Sequence, residues 1–388
     1  MNETTATADP GARTPLFGAA AAERALAIAS EIFARALDWN ERNPFEAPES
    51  NGAFGGCALV AAALARAGCT LPVPLQDVVR RAMVTAPDRR GLYDGKAGLL
   101  ATLDAIDPRQ TSFERPRAAL RDAIGADVLA TAALDPADRD GFDLVRGLAG
   151  KVAALHDAPD AVREHVRALF AAFADRVEAC LDERVPIDLG VAHGVPGLLG
   201  ALNLALPDDR ALARRYCDLI VRASHVANGV RRWGGTWEDR FPPPRRAWCY
   251  QTAGVASVLY DRARIDGDDA LRELALDALG GTLSEADAPH WDDALCHGRS
   301  GVALLYARIA ASDDRGASFA HEAARLAHEV LENYRDDVPF GYRAFNLRDC
   351  VHEDRPQFLD GALGIAMFLV DCARPAERTW LPLFGLLP

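Results

Sequence analysis

The chain lacks the features that would send it to a membrane, a nucleic acid or an oxidising compartment. No apolar run in its 388 residues approaches the roughly 20 residues of a bilayer span. The N-terminus, Met1 to Pro10, is polar, without the basic-then-apolar pattern of a secretory signal. Acidic residues outnumber basic ones, and the formal charge of −13 disfavours a nucleic-acid partner. The 8 Cys show no tight spacing of a disulfide framework. These absences read as a cytoplasmic protein with mostly reduced thiols, for which peripheral contact with a membrane surface remains compatible. An acidic surface would suit a basic peptide partner, although such a balance usually serves solubility.

What is present is an ordinary soluble composition, 49% hydrophobic and 26% charged, in a chain long enough for a large core. Residues 1–15, rich in Thr, Ala, Gly and Pro, read as a disordered tail, leaving 16–388 as a single domain. A Gly-x-x-Gly pair followed by an apolar helical run recurs along it, at Gly52/Gly55, Gly95/Gly98, Gly147/Gly150, Gly194/Gly197, Gly298/Gly301 and Gly361/Gly364. Gln251/Gly254 fills the remaining place with its first glycine replaced. Successive starts are 43, 52, 47, 57, 47 and 63 residues apart. Each of the seven units has room for two helices.

The run after each glycine pair is poor in charge, as in Val195 to Leu202, and a helix apolar on nearly all sides is a buried one. The segments between, such as Ala211 to Ala223 and Ser318 to Glu332, carry apolar residues on one face only. No comparable series of β-alternating runs is present. The units therefore pair one inner with one outer helix, in an open solenoid or a closed ring. In a ring the inner N-termini gather at one end, where N–H groups and dipoles favour anions such as thiolates.

The chemistry-bearing residues cluster at those helix starts. Cys249 precedes one inner run and Cys296-His297 another, and two thiols and an imidazole make three ligands of a zinc ion, with the fourth position open as in catalytic sites. Neighbours such as Cys296 and His297 point about 100° apart on a regular helix, so one ion can take both only where the backbone is irregular. Two buried free cysteines and a capping His are the competing reading. His193 stands in the same position of its own unit as His297, fit for acid/base work, for a fourth ligand or for a cap, with acid/base favoured. Asp143 is a helix N-cap or the residue that orients a His or Arg. Arg245, with Arg246 as its competitor, could stabilise an oxyanion. Tyr250 could donate a hydrogen bond into the site or merely pack. The other six cysteines read as structural.

The combination of Ala192-His193-Gly194-Val195-Pro196-Gly197, Ala247-Trp248-Cys249-Tyr250 and Leu295-Cys296-His297-Gly298 resembles the lanthipeptide cyclases, the lanthionine synthetase C-like family. The likeness runs through the glycine units to Phe358–Gly364 and covers about residues 20 to 372. It implies an all-α fold, an α/α toroid of seven helical hairpins. It implies zinc on Cys249, Cys296 and His297, and a catalytic site lined by His193, Asp143, Arg245 and Tyr250. It implies a precursor peptide whose Ser and Thr have been dehydrated, and addition of a peptide Cys thiol across the resulting double bond to form a thioether. A separate dehydratase and an exporter are the partners it implies, and the length suits a cyclase without a fused dehydratase. The family usually has Gly after Trp-Cys-Tyr, and Gln251 departs from that, which bears on the turn and on substrate range.

A zinc-bearing scaffold that binds peptides or thiols such as glutathione is the rival from another class. It would need only the metal ligands, so His193, Arg245 and Tyr250 together favour the enzyme. Glycosidases and terpene cyclases on α/α barrels rely on paired carboxylates or Asp-rich motifs, which the unit starts here lack.

Overall fold

The computed structural model describes residues 14–43, 52–85, 89, 91–93, 95–183, 185–238, 246–285, 291–346 and 349–388. The expected tail up to residue 13, the loop 44–51 and Arg245 lie outside the described residues. In chain order the helices are α1 (Ala19–Arg42), α2 (Gly52–Arg66), α3 (Leu75–Thr85), α4 (Lys96–Ile106), α5 (Glu114–Ala130), the single turn α6 (Arg139–Phe142), α7 (Leu148–Ala154), α8 (Asp160–Glu183), α9 (Val195–Ala205) and α10 (Arg210–Arg222). A hairpin of β1 (His225–Ala227) and β2 (Val230–Arg232) follows, then α11 (Thr252–Asp266), α12 (Asp269–Thr282), α13 (Arg299–Ser312) and α14 (Ala317–Glu332). A second hairpin, β3 (Ala344–Asn346) and β4 (Val351–Glu353), leads to α15 (Ala362–Ala373).

Burial sorts these helices into two layers. Every residue of α15 is buried, as is nearly all of α9. By contrast α14 buries Phe319, Ala323, Leu326, Ala327, Val330 and Leu331, one stripe at helical spacing. The inner helices α2, α4, α7, α9, α11, α13 and α15 each touch the next, and α15 returns to α2. The outer helix α1 packs on α15 and α2, so the first helix of the chain seals the seam. The solenoid is therefore closed, an α/α toroid of seven hairpins. The β-hairpins lie in the two longest glycine intervals, 194 to 251 and 298 to 361; β2 packs on the outer helix α12, and β3 lies beside the start of α13.

The glycine pairs have a steric cause. A Cβ on Gly254 would lie 1.9 Å from the Trp248 carbonyl oxygen, and Gly301 and Gly364 meet Leu295 and Phe358 in the same way. The second glycine of these pairs thus lets the incoming loop lie on the first turn of its helix, as it does at Gly150 and Gly197. Stacked so tightly, successive loops hydrogen-bond to one another around the ring. Tyr93 N–H donates to Val145 (3.1 Å), Leu144 to Ala192 (3.1 Å), Ala192 to Cys249 (3.2 Å), Cys249 to Cys296 (3.1 Å) and Cys296 to Leu359 (2.8 Å). This backbone belt fixes the loops relative to one another, and the residues of interest sit on it.

The chain end supplies a floor that neither periodicity nor the glycine repeat announces. A 3-10 turn, Leu381–Phe384, is buried, and its carbonyls accept from Tyr93 Oη at Leu383 (2.6 Å) and Trp248 Nε1 at Phe384 (3.0 Å). Further on, Leu387 N–H donates to Asp261 of α11 (3.0 Å), and Arg308 of α13 donates to the Leu387 carbonyl (3.1 Å). Partners drawn from units all round the ring place this segment on its axis, beneath the belt.

Candidate active site

Cys249 ends the loop before α11, and Cys296 and His297 end the loop before α13. Both stretches are turns, not helix, which removes the obstacle to adjacent ligands. One ligand atom from each of Cys249, Cys296 and His297 lies within 4.8 Å of the others. Tetrahedral zinc–thiolate bonds separate two sulfurs by about 3.7 Å, so only a small closure would seat an ion. None of the eight cysteines is in a disulfide. Two thiols and an imidazole form a soft-to-borderline donor set with three positions filled, which suits zinc better than an oxygen-seeking cation.

His297 is held from behind. Its Nε2 lies 3.2 Å from Asp292 Oδ2 and 3.2 Å from the Phe345 carbonyl, leaving Nδ1 for the thiols. Asp292 in turn accepts from the Phe345 N–H (2.8 Å) and the Ala294 N–H (3.2 Å), so β3 is tied to the site through its backbone. Burial disfavours a charge on His297, but Asp292 and the Cys249 thiol outweigh it and push the pKa up to about 10. Burial likewise works against the Asp292 charge, yet the hydrogen bonds from His297, Phe345 and Ala294 hold its carboxyl below the usual range. A carboxylate behind a ligating imidazole fixes ring orientation and raises ligand basicity.

The second group begins next door, at Tyr250. Asp143 is fully buried and takes the orienting role of the two that its sequence position offered; it is not a helix N-cap, because α7 is capped by Gly147 without a side-chain bond. Its Oδ1 accepts the Arg146 N–H (2.7 Å) and the Gly147 N–H (2.8 Å) of the turn that leads into α7, and its Oδ2 lies 2.6 Å from His193 Nδ1. The His193 side chain is 26% exposed, so its other nitrogen can exchange protons with a bound molecule. Its ring stands 6.0 Å from that of Tyr250, centre to centre. The Tyr250 hydroxyl donates to Asp188 Oδ2 (2.7 Å). Burial, reinforced by the Asp188 charge, raises the phenol pKa further. Burial also raises the Asp188 pKa, against the opposing hydrogen bonds from Tyr250 and Gly190.

Arg245 lies outside the described residues. Its competitor Arg246 is buried, ion-paired with Glu322 (2.7 Å) and stacked 4.5 Å over Trp291, so it serves the wall. Asp188 and Asp292 escaped the sequence reading. Each stands six residues before the capping glycine of its own unit, Gly194 and Gly298, and aligning the units on those glycines would have brought the pair out. Gln251 caps α11 with φ 67° and ψ −159°, whereas the capping glycines of α4, α7, α9, α13 and α15 all have negative φ.

The profile of the family described as "Lanthionine synthetase C-like protein" matches residues 74–384. Among solved structures, "Nisin cyclase" superposes with a TM-score of 0.67 over 91% of this chain and 97% of that one, at 15% identity, a likeness of fold. No curated protein sequence matches. The described helices include none long and apolar enough to cross a membrane.

Proposed function

The chain belongs to the lanthionine synthetase C-like family, and from that premise we propose that it is a zinc-dependent lanthipeptide cyclase. It would join peptide Cys thiols to dehydroalanine or dehydrobutyrine residues of a dehydrated precursor peptide, forming (methyl)lanthionine thioethers. The observation that carries the reading is the meeting of Cys249, Cys296 and His297 beside an Asp-backed His193 on one backbone belt.

Cys249, Cys296 and His297 would hold the zinc. A zinc ion there would act as a Lewis acid that favours the thiolate form of a substrate Cys at neutral pH. His193 serves the proton side of the reaction. As the C–S bond forms at the β-carbon, the alkene electron pair moves toward the amide oxygen, and His193 then delivers a proton to the α-carbon. The net result is addition of S–H across the double bond. Asp143 keeps the His193 ring in register, and because its other oxygen ties the turn that leads into α7, that register is anchored to the backbone. Tyr250 borders the same space, and Arg245 is proposed to meet the charge on the amide oxygen. The dehydratase that makes the substrate acts as a separate protein, an exporter removes the product, and the setting is the cytoplasm.

The test combines zinc content per chain with thiol consumption. A dehydrated peptide carrying one Cys is incubated with the parent and with Cys296→Ala, and free thiols are alkylated and read by mass spectrometry. The expected result is one zinc and loss of the alkylatable thiol in the parent, both abolished in Cys296→Ala. Zinc without thiol consumption across a panel of such peptides would favour the scaffold. A parent protein prepared without chelators that holds no zinc would overturn the assignment.

A further inference from the structure

We infer that the loop Asp188–Gly190 is the positioning device for Tyr250, and that it turns the tyrosine oxygen toward substrate as a hydrogen-bond acceptor. The inference deepens the cyclase reading and rests on it for the reaction.

Three contacts converge on this role. The Tyr250 hydroxyl donates to Asp188 Oδ2 at 2.7 Å, a charge-assisted bond that commits the phenol proton. The other carboxylate oxygen, Oδ1, accepts the Gly190 N–H at 2.8 Å, which prevents the carboxylate from turning away. Gly190 itself lies under the ring. A Cβ there would fall 2.8 Å from both Tyr250 Cδ1 and Cε1 and 2.6 Å from the Cys249 carbonyl. The tyrosine is thus fixed at its hydroxyl by Asp188 and along its ring edge by a missing side chain.

The loop has its own anchors. Leu189 N–H donates to Gly235 (2.9 Å), Trp237 N–H to Ile187 (2.9 Å), and Val195 N–H to the Asp188 carbonyl (3.1 Å), so the segment after β2 braces it from outside. The arrangement repeats the logic of Asp143 and His193, in which a carboxylate of one unit holds a reactive side chain of the next. Asp143 belongs to the unit before His193, and Asp188 to the unit before Tyr250. The chemical consequence differs. Asp143 backs a nitrogen of a ring that has a second nitrogen free to move a proton. Asp188 takes the only proton Tyr250 owns, leaving lone pairs. Tyr250 therefore receives a hydrogen bond from the peptide, and does not donate one to the enolate oxygen.

The discriminating variant is Asp188→Asn. Its Oδ1 must still accept the Gly190 N–H, so its Nδ2 faces Tyr250 as a donor and releases the phenol proton. Cyclisation of the dehydrated Cys peptide is measured for the parent, Asp188→Asn, Tyr250→Phe and the double variant, with zinc content as the control for an intact site. Each single change is expected to lower kcat/KM by about 10- to 100-fold, the range for loss of an outer partner. The double variant should be no worse than the poorer single one, because both remove the same device. Gly190→Ala should reproduce the loss by displacing the ring.

A second readout needs no turnover. The tyrosine Fermi doublet in the Raman spectrum reports whether a phenol donates or accepts, and the difference between parent and Tyr250→Phe isolates residue 250. Strong-donor character in the parent, lost in Asp188→Asn, is expected. Losses that multiply in the double variant, an unchanged rate in Asp188→Asn, or a parent Tyr250 without donor character would each overturn the inference. A parent that consumes no thiol would defeat the cyclase reading, while the Raman comparison would still decide whether Asp188 holds Tyr250.

Discussion

His193 and His297 occupy the same position in their repeats, one residue before the capping glycine of an inner helix, yet the toroid gives them opposite surroundings. His297 is held by Asp292 of its own unit, faces two thiols and has a side chain only 10% exposed. His193 is held by Asp143 of the preceding unit and keeps an exposed edge of 26%. One position of one repeat thus gives the proposed ligand where the neighbouring unit contributes a cysteine, and the proposed proton carrier where it contributes a buried carboxylate. The sequence position supplies an imidazole, and the next loop around the belt decides its use.

That contrast can be broken most sharply by exchanging the two losses. His297→Ala should strip the metal and with it the cyclisation. His193→Asn should leave zinc at one per chain and lower kcat by about 10²- to 10⁴-fold, the range for a lost acid/base group. Metal analysis run beside single-turnover thiol consumption separates the two. Loss of zinc in His193→Asn would merge the two halves and make His193 a ligand.

A smaller effect is expected one layer out. Asp292→Asn should weaken zinc binding by about 10- to 100-fold without removing it. The same residue sets a pH dependence. In the metal-free chain His297 is protonated up to a pKa of about 10, while the metal takes only the neutral ring. The proton is therefore displaced by the metal below that pH, and affinity should rise with pH until it levels near about 10. Asn at 292 lowers the His297 pKa, so the rise should end at lower pH. The linkage for the metal-free protein has the opposite sense. The stability that the raised His297 pKa confers is fully present below about 6.5 and lost as pH climbs through about 10. Competition titrations against a chelator at several pH values check the first statement, and a flat affinity profile would contradict it.

Much of this was legible in the residues, and the limits are instructive. The all-α class, the seven inner and seven outer helices, and the place of Cys249, Cys296, His297 and His193 at inner helix starts follow from glycine spacing and charge-poor runs. The closed ring came from the family resemblance and not from spacing, because closure depends on α1 reaching α15 across the whole chain. Asp143 was ambiguous between cap and orienter because a carboxylate has two oxygens and sequence position cannot assign them. Here Oδ2 holds His193, while Oδ1 ties the turn before α7 and leaves the helix itself capped by Gly147. Asp188 and Asp292 look like two solvated acids among 56 Asp and Glu, and only the partner loops reveal that Asp292 is buried and Asp188 half-buried. The axial floor of Leu381–Phe384 carries no repeat at all. It is recognised by the carbonyls it offers to Tyr93 and Trp248.

The smallest expected effect lies at the one capping position where the repeat is broken. In the units capped by glycine, an added Cβ would meet the preceding loop at 2.2 Å over Gly147 and Gly194, 2.3 Å over Gly298 and 2.6 Å over Gly361. Gln251 carries a Cβ at that position and avoids the collision by turning its backbone to φ 67°, ψ −159°, a region populated almost only by glycine. Such a conformation costs a non-glycine residue about 1–3 kcal/mol. Gln251→Gly removes that cost but adds about 0.5–1 kcal/mol of freedom to the unfolded chain. The variant should therefore be more stable by about 1 kcal/mol, a rise of a few degrees at most in a protein of this size, read by thermal melting with zinc bound. The reverse change, Gly298→Gln, places a Cβ 2.4 Å from Asp292 Oδ1 and should instead loosen the metal half. If Gln251→Gly lowers the melting temperature, contacts of the glutamine side chain outweigh the strain, and the broken repeat is a support of the Cys249–Tyr250 turn and not a tolerated defect.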